Sequence, residues 1–152
     1  AATFSWKWKR LKGLDEHEYA RHLMESLIFL ATSTQEGMPT SILEAMASGC
    51  LVVGFAGVGG NDYLIGSGID QNCILIENGN VPSFGRALDY VLKAMERDKG
   101  CYDRIIQNGI KTAKRFQDFN EEGESLAEFF KALGCFPVRQ SNTSVLDFAQ
   151  TL

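Results

Sequence analysis

Ser33-Thr-Gln-Glu-Gly-Met-Pro-Thr-Ser-Ile-Leu-Glu-Ala-Met-Ala-Ser-Gly49 decides how this chain folds. It reads as a tight polar loop followed by a short helix that a glycine stops. Before it lies Leu27-Ile-Phe-Leu-Ala-Thr32 and after it Leu51-Val-Val-Gly54, both apolar runs of strand length. Strand, helix and strand so close together form a βαβ crossover, and that demands a parallel sheet. Thr40 or Ser41 is predicted to cap the helix, because a hydroxyl can accept from the unpaired N–H groups of the first turn. Gly49 suits the left-handed position after the last turn. A loop at the carboxyl end of a parallel strand, leading into a helix N-terminus, is where α/β sheets bind ligands. The exposed N–H groups and the positive end of the helix dipole favour an anion such as a phosphate. Two carboxylates belong to the stretch, Glu36 in the loop and Glu44 in the helix.

Outward from this stretch the pattern stays α/β. Residues 3–11 alternate aromatic and polar side chains through Phe4, Trp6 and Trp8, which fits either a strand or a ragged N-terminus. Asp15 opens a helix to about Ser26, with Tyr19, Leu23 and Leu27 at helical spacing. His17 and His22 fall in that helix without a partner motif and read as ordinary surface histidines. Phe55-Ala-Gly-Val-Gly-Gly60 is a glycine-rich turn that matches no phosphate-loop pattern by itself, and Asn61–Gly66 suggests one helical turn. Cys73–Ile76 is the last clear strand. Helices follow over Ser83–Asp98, Cys101–Phe116 and Asn120–Leu133, each with an apolar stripe that reads as core. The pattern weakens after Gly134, which divides the chain into residues 1–134 and a tail, 135–152, with a short helix around Val145–Phe148.

Composition narrows the function classes. A chain of 152 residues is one domain's worth, with 45% hydrophobic and 22% charged residues. A net charge of −4 gives no support for nucleic-acid binding. No apolar run reaches the roughly 18–20 residues of a membrane-spanning helix. Cys50, Cys73, Cys101 and Cys135 show neither Cys-x-x-Cys pairing nor metal-ligand spacing. With no secretory signal in view, they read as reduced thiols of a cytoplasmic protein.

Glu36-Gly-Met-Pro-Thr-Ser-Ile-Leu-Glu44, continued by Ala-Met-Ala-Ser-Gly49, resembles the Glu-x7-Glu signature of retaining glycosyltransferases of the GT-B fold, family 4-like (glycosyl transferases group 1). Lys12-Gly13-Leu14, Leu27–Glu36, Gly57-Val-Gly-Gly-Asn-Asp-Tyr-Leu64 and Cys73–Ile76 follow in family order, so the likeness spans residues 10–133. The glycine turn is about one residue longer than the commonest family pattern, which leaves the alignment of Gly57 to Gly60 open.

The resemblance implies a Rossmann-like domain: part of a three-layer α/β/α C-terminal GT-B domain with a short parallel sheet and C-terminal helices. It implies transfer of a glycosyl group from a nucleoside diphosphate sugar with retention, in polysaccharide or glycoconjugate synthesis, without metal or other cofactor. By resemblance Glu36 touches the donor sugar. Glu44 accepts from the ribose hydroxyls, against a bland alternative as Ser41's partner in a capping box. The N–H groups of Gly37 and Met38 face the sugar, and those of Thr40, Ser41 and Ile42 face the distal phosphate. Pro39, where many relatives have glycine, lacks that donor.

The family's basic diphosphate-binding pair precedes these segments, so the chain is expected to need an N-terminal domain and to be inactive alone, any membrane association belonging to that domain. Its sheet is expected to have an open edge, covered by Phe4, Trp6 and Trp8 or by a second copy in a homodimer. Two other readings stand beside this one. A GT-B-fold nucleotide-sugar epimerase shares the architecture, and a non-catalytic α/β interaction module would pair with another subunit.

Overall fold

A computed structural model describes residues 6–116 together with Glu128 and Ala132. The chain divides into two compact units, residues 1–115 and 116–152. The first unit carries α1 (Glu16–Met24), β1 (Ile28–Ala31), α2 (Thr40–Ala47), β2 (Leu51–Phe55), a 3-10 turn (Gly59–Asp62), β3 (Ile74–Ile76), α3 (Val81–Arg97) and α4 (Asp103–Arg115). The expected helix over 120–133 lies outside the described residues except for Glu128 and Ala132, both helical. The expected division at 134, the terminal helix around 145–148, Phe4 and Cys135 also lie outside them.

The three strands form one parallel sheet in the order β1-β2-β3. Ile28 to Ala31 register with Leu51 to Gly54, and Val53 to Phe55 with Ile74 to Ile76. The central strand explains its own sequence. Every residue of Leu51–Phe55 is buried, because helices cover both faces of the sheet, and a strand buried on both sides must be apolar throughout. Alternation then splits the strands between two cores. Phe29, Ala31, Val52 and Leu75 face a cluster built with Ile42, Ala45 and Met46 of α2, Leu23 of α1 and Ala113 of α4. Ile28, Leu30, Leu51, Val53, Phe55 and Ile76 face Val91 and Met95 of α3 and Ile105 of α4. Burying each large aliphatic side chain stabilises the fold by about 1.5–3 kcal/mol. This is the expected three-layer α/β arrangement.

Helix ends follow from local chemistry. Asp15 caps α1: its carboxylate accepts from the N–H of Glu18 at 2.8 Å, and the Glu18 side chain reaches back to the N–H of Asp15 at 3.4 Å. Asn80 caps α3 by accepting from the N–H of Ser83 at 3.1 Å, with Pro82 in the first turn. On the inner side of α3, Phe84 meets Phe55 edge to face at 5.2 Å between ring centroids.

One open alternative is decided and two local expectations are corrected. Trp6 to Leu11 form no strand. Trp6 instead lies half-buried against the α3-side core, donating from its indole N–H to Glu96 at 2.9 Å, while Trp8 is exposed. A two-residue alternation needs a neighbouring strand to pair with, and Trp6 gains its burial from a helix. The helical turn expected over Asn61–Gly66 lies earlier, at Gly59–Asp62, where the glycines permit the tighter winding. Neither Thr40 nor Ser41 caps α2. Pro39 occupies the capping position, and no side chain accepts from the first turn.

Candidate functional site

Pro39 sets how α2 begins. Its φ of −76° and ψ of 84° form an inverse γ-turn, in which the N–H of Thr40 donates to the carbonyl of Met38 at 2.9 Å. The N–H of Ile42 donates to the Pro39 carbonyl at 3.1 Å. Thr40 and Ser41 thus become the first helical residues and lose the extended backbone a cap requires. The capping-box alternative for Glu44 does not form, since Ser41 already lies inside the helix. Pro39 is itself buried, and the hydroxyl of Tyr63 donates to its carbonyl at 3.0 Å.

The loop ahead of Pro39 is fixed from the glycine-rich turn. The carbonyl of Glu36 accepts from the N–H groups of Val58 at 2.9 Å and Gly59 at 3.3 Å. The approach is so close that only glycine fits on the far side. A Cβ on Gly59 would stand 1.5 Å from the Gly37 carbonyl oxygen, and one on Gly57 2.9 Å from that of Glu36. Gly57 also has a φ of +66°, which L side chains rarely adopt.

These contacts shape a small cavity of about 120 Å³ at the carboxyl ends of β1 and β2. Ala31, Thr32, Ser33 and Glu36 line it from the β1 side, Pro39, Ser41 and Ile42 from α2, and Phe55 and Ala56 from β2. Among the site residues expected from sequence, Glu36, Ser41 and Ile42 are therefore brought to one cavity. Glu36 is exposed where it lines the cavity; Gly37, Met38 and Thr40 are exposed but are not among its lining residues. Glu44 is exposed on α2, on the same helical side as Ser41 three residues earlier. Of the three backbone donors expected to face a phosphate, those of Thr40 and Ile42 turn inward to Met38 and Pro39.

Three further residues join the site that the sequence did not single out for it. Tyr19 of α1 lies beside Glu44. Its hydroxyl is pushed up to about 12, first by burial and then by the negative charge of Glu44 and a hydrogen bond to it. Tyr63 is likewise pushed up to about 12, by burial and then by the Glu36 charge. Asn78, just past β3, holds Gly57 through both of its amide groups. Tyr19 was visible only as part of an apolar helical stripe, and Asn78 was not singled out at all; no spacing in the sequence points to their partners.

The remaining polar and sulfur groups are structural. Asn72, 2% exposed, accepts from the N–H of Ile65 and donates to the carbonyl of Tyr63 and to the Thr112 hydroxyl. Cys50, Cys73 and Cys101 are free thiols. Burial pushes Cys50 up to about 11 and Cys73 to about 12, which keeps both protonated and inert. His22 Nδ1 lies 3.7 Å from a carboxylate oxygen of Glu25 at the end of α1, and His17 is exposed; neither lines the cavity. Among the described residues, no helix is long and apolar enough to cross a membrane.

Comparison with known proteins adds the following. A family model described as Glycosyl transferases group 1 matches residues 8–112. The chain is 27% identical over 127 residues to a putative glycosyltransferase 48 of Sulfolobus islandicus filamentous virus, a match covering 76% of this chain and 40% of the relative. It is 37% identical over 100 residues to the UDP-Gal:alpha-D-GlcNAc-diphosphoundecaprenol alpha-1,3-galactosyltransferase of Escherichia coli, covering 61% of this chain and 24% of that protein. It is 43% identical over 47 residues to an alpha-1,6-glucosyltransferase of Actinobacillus pleuropneumoniae, covering 31% and 14%. The chain thus spans less than half the length of each of these curated relatives.

Proposed function

Since the chain belongs to the glycosyl transferases of group 1, whose family model covers residues 8–112, we propose that it forms the donor-binding part of a glycosyltransferase. That enzyme moves a glycosyl group from a nucleoside diphosphate sugar with retention at the anomeric carbon. The observation that carries this reading is the cavity at the carboxyl ends of β1 and β2. There Glu36 and Ser41 meet at the start of α2, with Glu44 on the same side of the helix. A carboxylate accepts two hydrogen bonds at once, which suits Glu44 to the vicinal hydroxyls of a ribose. In this reading Glu36, whose backbone carbonyl is tied to Val58 and Gly59, meets the sugar hydroxyls. The distal phosphate meets the start of α2, where the Ser41 hydroxyl lines the cavity and the helix dipole is positive.

Transfer passes through an oxocarbenium-like transition state as the diphosphate departs. Stabilising the charge that develops is the dominant catalytic task. Among the described residues, no lysine or arginine lines the cavity. In this reading the cations that neutralise the diphosphate belong to another part of the assembled enzyme, and this chain by itself binds donor without turning it over. Tyr19 supports the same assignment. Its neutral hydroxyl beside Glu44 can orient the carboxylate without cancelling its charge.

The test is glycosyl transfer by the assembled enzyme. Glu36→Ala should lower kcat by about a hundredfold, the loss typical of removing one group that acts at the transition state. Glu44→Ala should mainly raise the donor KM. Both variants should keep the parental circular dichroism spectrum. Near-parental turnover in both overturns the site, and inversion of the product anomer overturns the stereochemistry.

A further inference from the structure

Loop 32–39 carries Glu36; α2 holds only its last two residues, through the carbonyls of Met38 and Pro39. The carbonyl of Glu36 is tied to Val58 and Gly59 at 2.9 and 3.3 Å. The position of Glu36 therefore depends on where the glycine-rich turn sits. That turn has left the sheet. The parallel ladder between β2 and β3 ends at the pair Phe55–Ile76. Two residues beyond it on each side, a side chain replaces the missing backbone partner. The Asn78 amide accepts from the N–H of Gly57 at 3.2 Å and donates to the Gly57 carbonyl at 2.6 Å. A primary carboxamide has the same donor and acceptor as a peptide unit, so Asn78 extends the ladder by one rung.

We propose that Asn78 is a positioning residue for the donor sugar: by clamping both backbone groups of Gly57 it fixes the glycine turn, and through Val58 and Gly59 it fixes Glu36. This rests on the reading of Glu36 as the sugar-contacting residue. Asn78 is not among the residues lining the cavity that Glu36 lines; it borders a neighbouring cavity that shares Ala56, and its amide is engaged by Gly57, so its reach to Glu36 runs through the turn. Its chemistry is specific. Aspartate at this position keeps the acceptor for the Gly57 N–H but faces the Gly57 carbonyl with a negative oxygen. Alanine loses both contacts.

The experiment has two arms. The first is amide hydrogen exchange by NMR on the chain without ligand. Asn78→Ala should speed exchange at Gly57, Val58 and Gly59 by roughly tenfold or more, while Leu51, Val52 and Val53 keep parental rates. Parental exchange at Val58 and Gly59 overturns the clamp. The second arm compares UDP-galactose with UDP. If Asn78 acts through Glu36, Asn78→Ala should weaken UDP-galactose by about tenfold and leave UDP within about twofold. Asn78→Asp should fall between, and Asn78→Ala should add nothing in a Glu36→Ala background. A merely structural defect would weaken both ligands alike, and that result, or full additivity, overturns the positioning role. If Glu36→Ala leaves sugar binding unchanged, the donor-site reading fails. The exchange arm still decides the clamp.

Discussion

Replacing Gly59 by alanine tests the closest approach in the site. The added Cβ would stand 1.5 Å from the Gly37 carbonyl oxygen and 2.8 Å from its carbon. Both are backbone atoms, so no side-chain rotation relieves the overlap. Ordinary contact begins near 3.4 Å, so the two loops must separate by about 1.9 Å. That movement breaks the hydrogen bonds from Val58 and Gly59 to the Glu36 carbonyl, now 2.9 and 3.3 Å long. Two lost bonds cost about 1 kcal/mol each, and residual overpacking adds about 1 kcal/mol. The expected loss is about 2–3 kcal/mol, which lowers Tm by roughly 5–10 °C in a domain of this size. Thermal unfolding followed by circular dichroism measures it, and amide exchange at Val58 reports the broken contact. A variant with parental Tm and parental protection at Val58 would refute the account of how the glycine turn holds Glu36.

Other outcomes follow from the same structure. Gly85→Ala lies on the exposed side of α3 with nothing within 4 Å of the new Cβ; it should stabilise the chain by about 0.5–1 kcal/mol in a urea melt. Asn72→Ala strips a buried amide from Ile65, Tyr63 and Thr112, and should cost about 3 kcal/mol in the same assay, because the partners it leaves are partly buried. Tyr19 and Tyr63 have folded pKa values near 12, above the ordinary 10, and Cys50 and Cys73 near 11 and 12, above 9. Raised values favour the neutral forms, so this stability is complete below about pH 9 and is lost as pH climbs towards about 12. Glu44→Gln removes one cause of the Tyr19 shift and should bring its phenolate absorbance transition to lower pH; an unmoved transition would separate Tyr19 from Glu44.

Much of this fold was legible because single segments carry it. Leu51–Phe55 is apolar throughout, as a strand covered on both faces must be. Asp15, read as the start of a helix, does cap α1. Gly49 takes the positive φ, +82°, that ends α2. The start of α2 was not legible in the same way. Thr40 and Ser41 have the chemistry of caps, yet the fixed φ of Pro39 and a hydroxyl from Tyr63, 24 residues downstream, decide where the helix begins. Trp6 and Trp8 alternate like a strand, but alternation states which side chains share a face, not what lies opposite. The hold of Asn78 on Gly57 joins residues 21 apart in a turn, where no periodicity records a partner. Glu36 and Glu44 stood out through their pattern, whereas Tyr19, Tyr63 and Asn78, which hold or flank them, required the fold.

The most direct test of the donor site is a titration of the labelled chain with UDP-, GDP- and ADP-linked hexoses, followed by amide NMR on the parent and on Glu44→Ala. The account predicts that one nucleoside diphosphate sugar moves the resonances of Gly37, Met38, Ser41 and Glu44, and that Glu44→Ala abolishes the response. A sugar nucleotide that binds both proteins equally, or moves resonances away from residues 36–44, would contradict it.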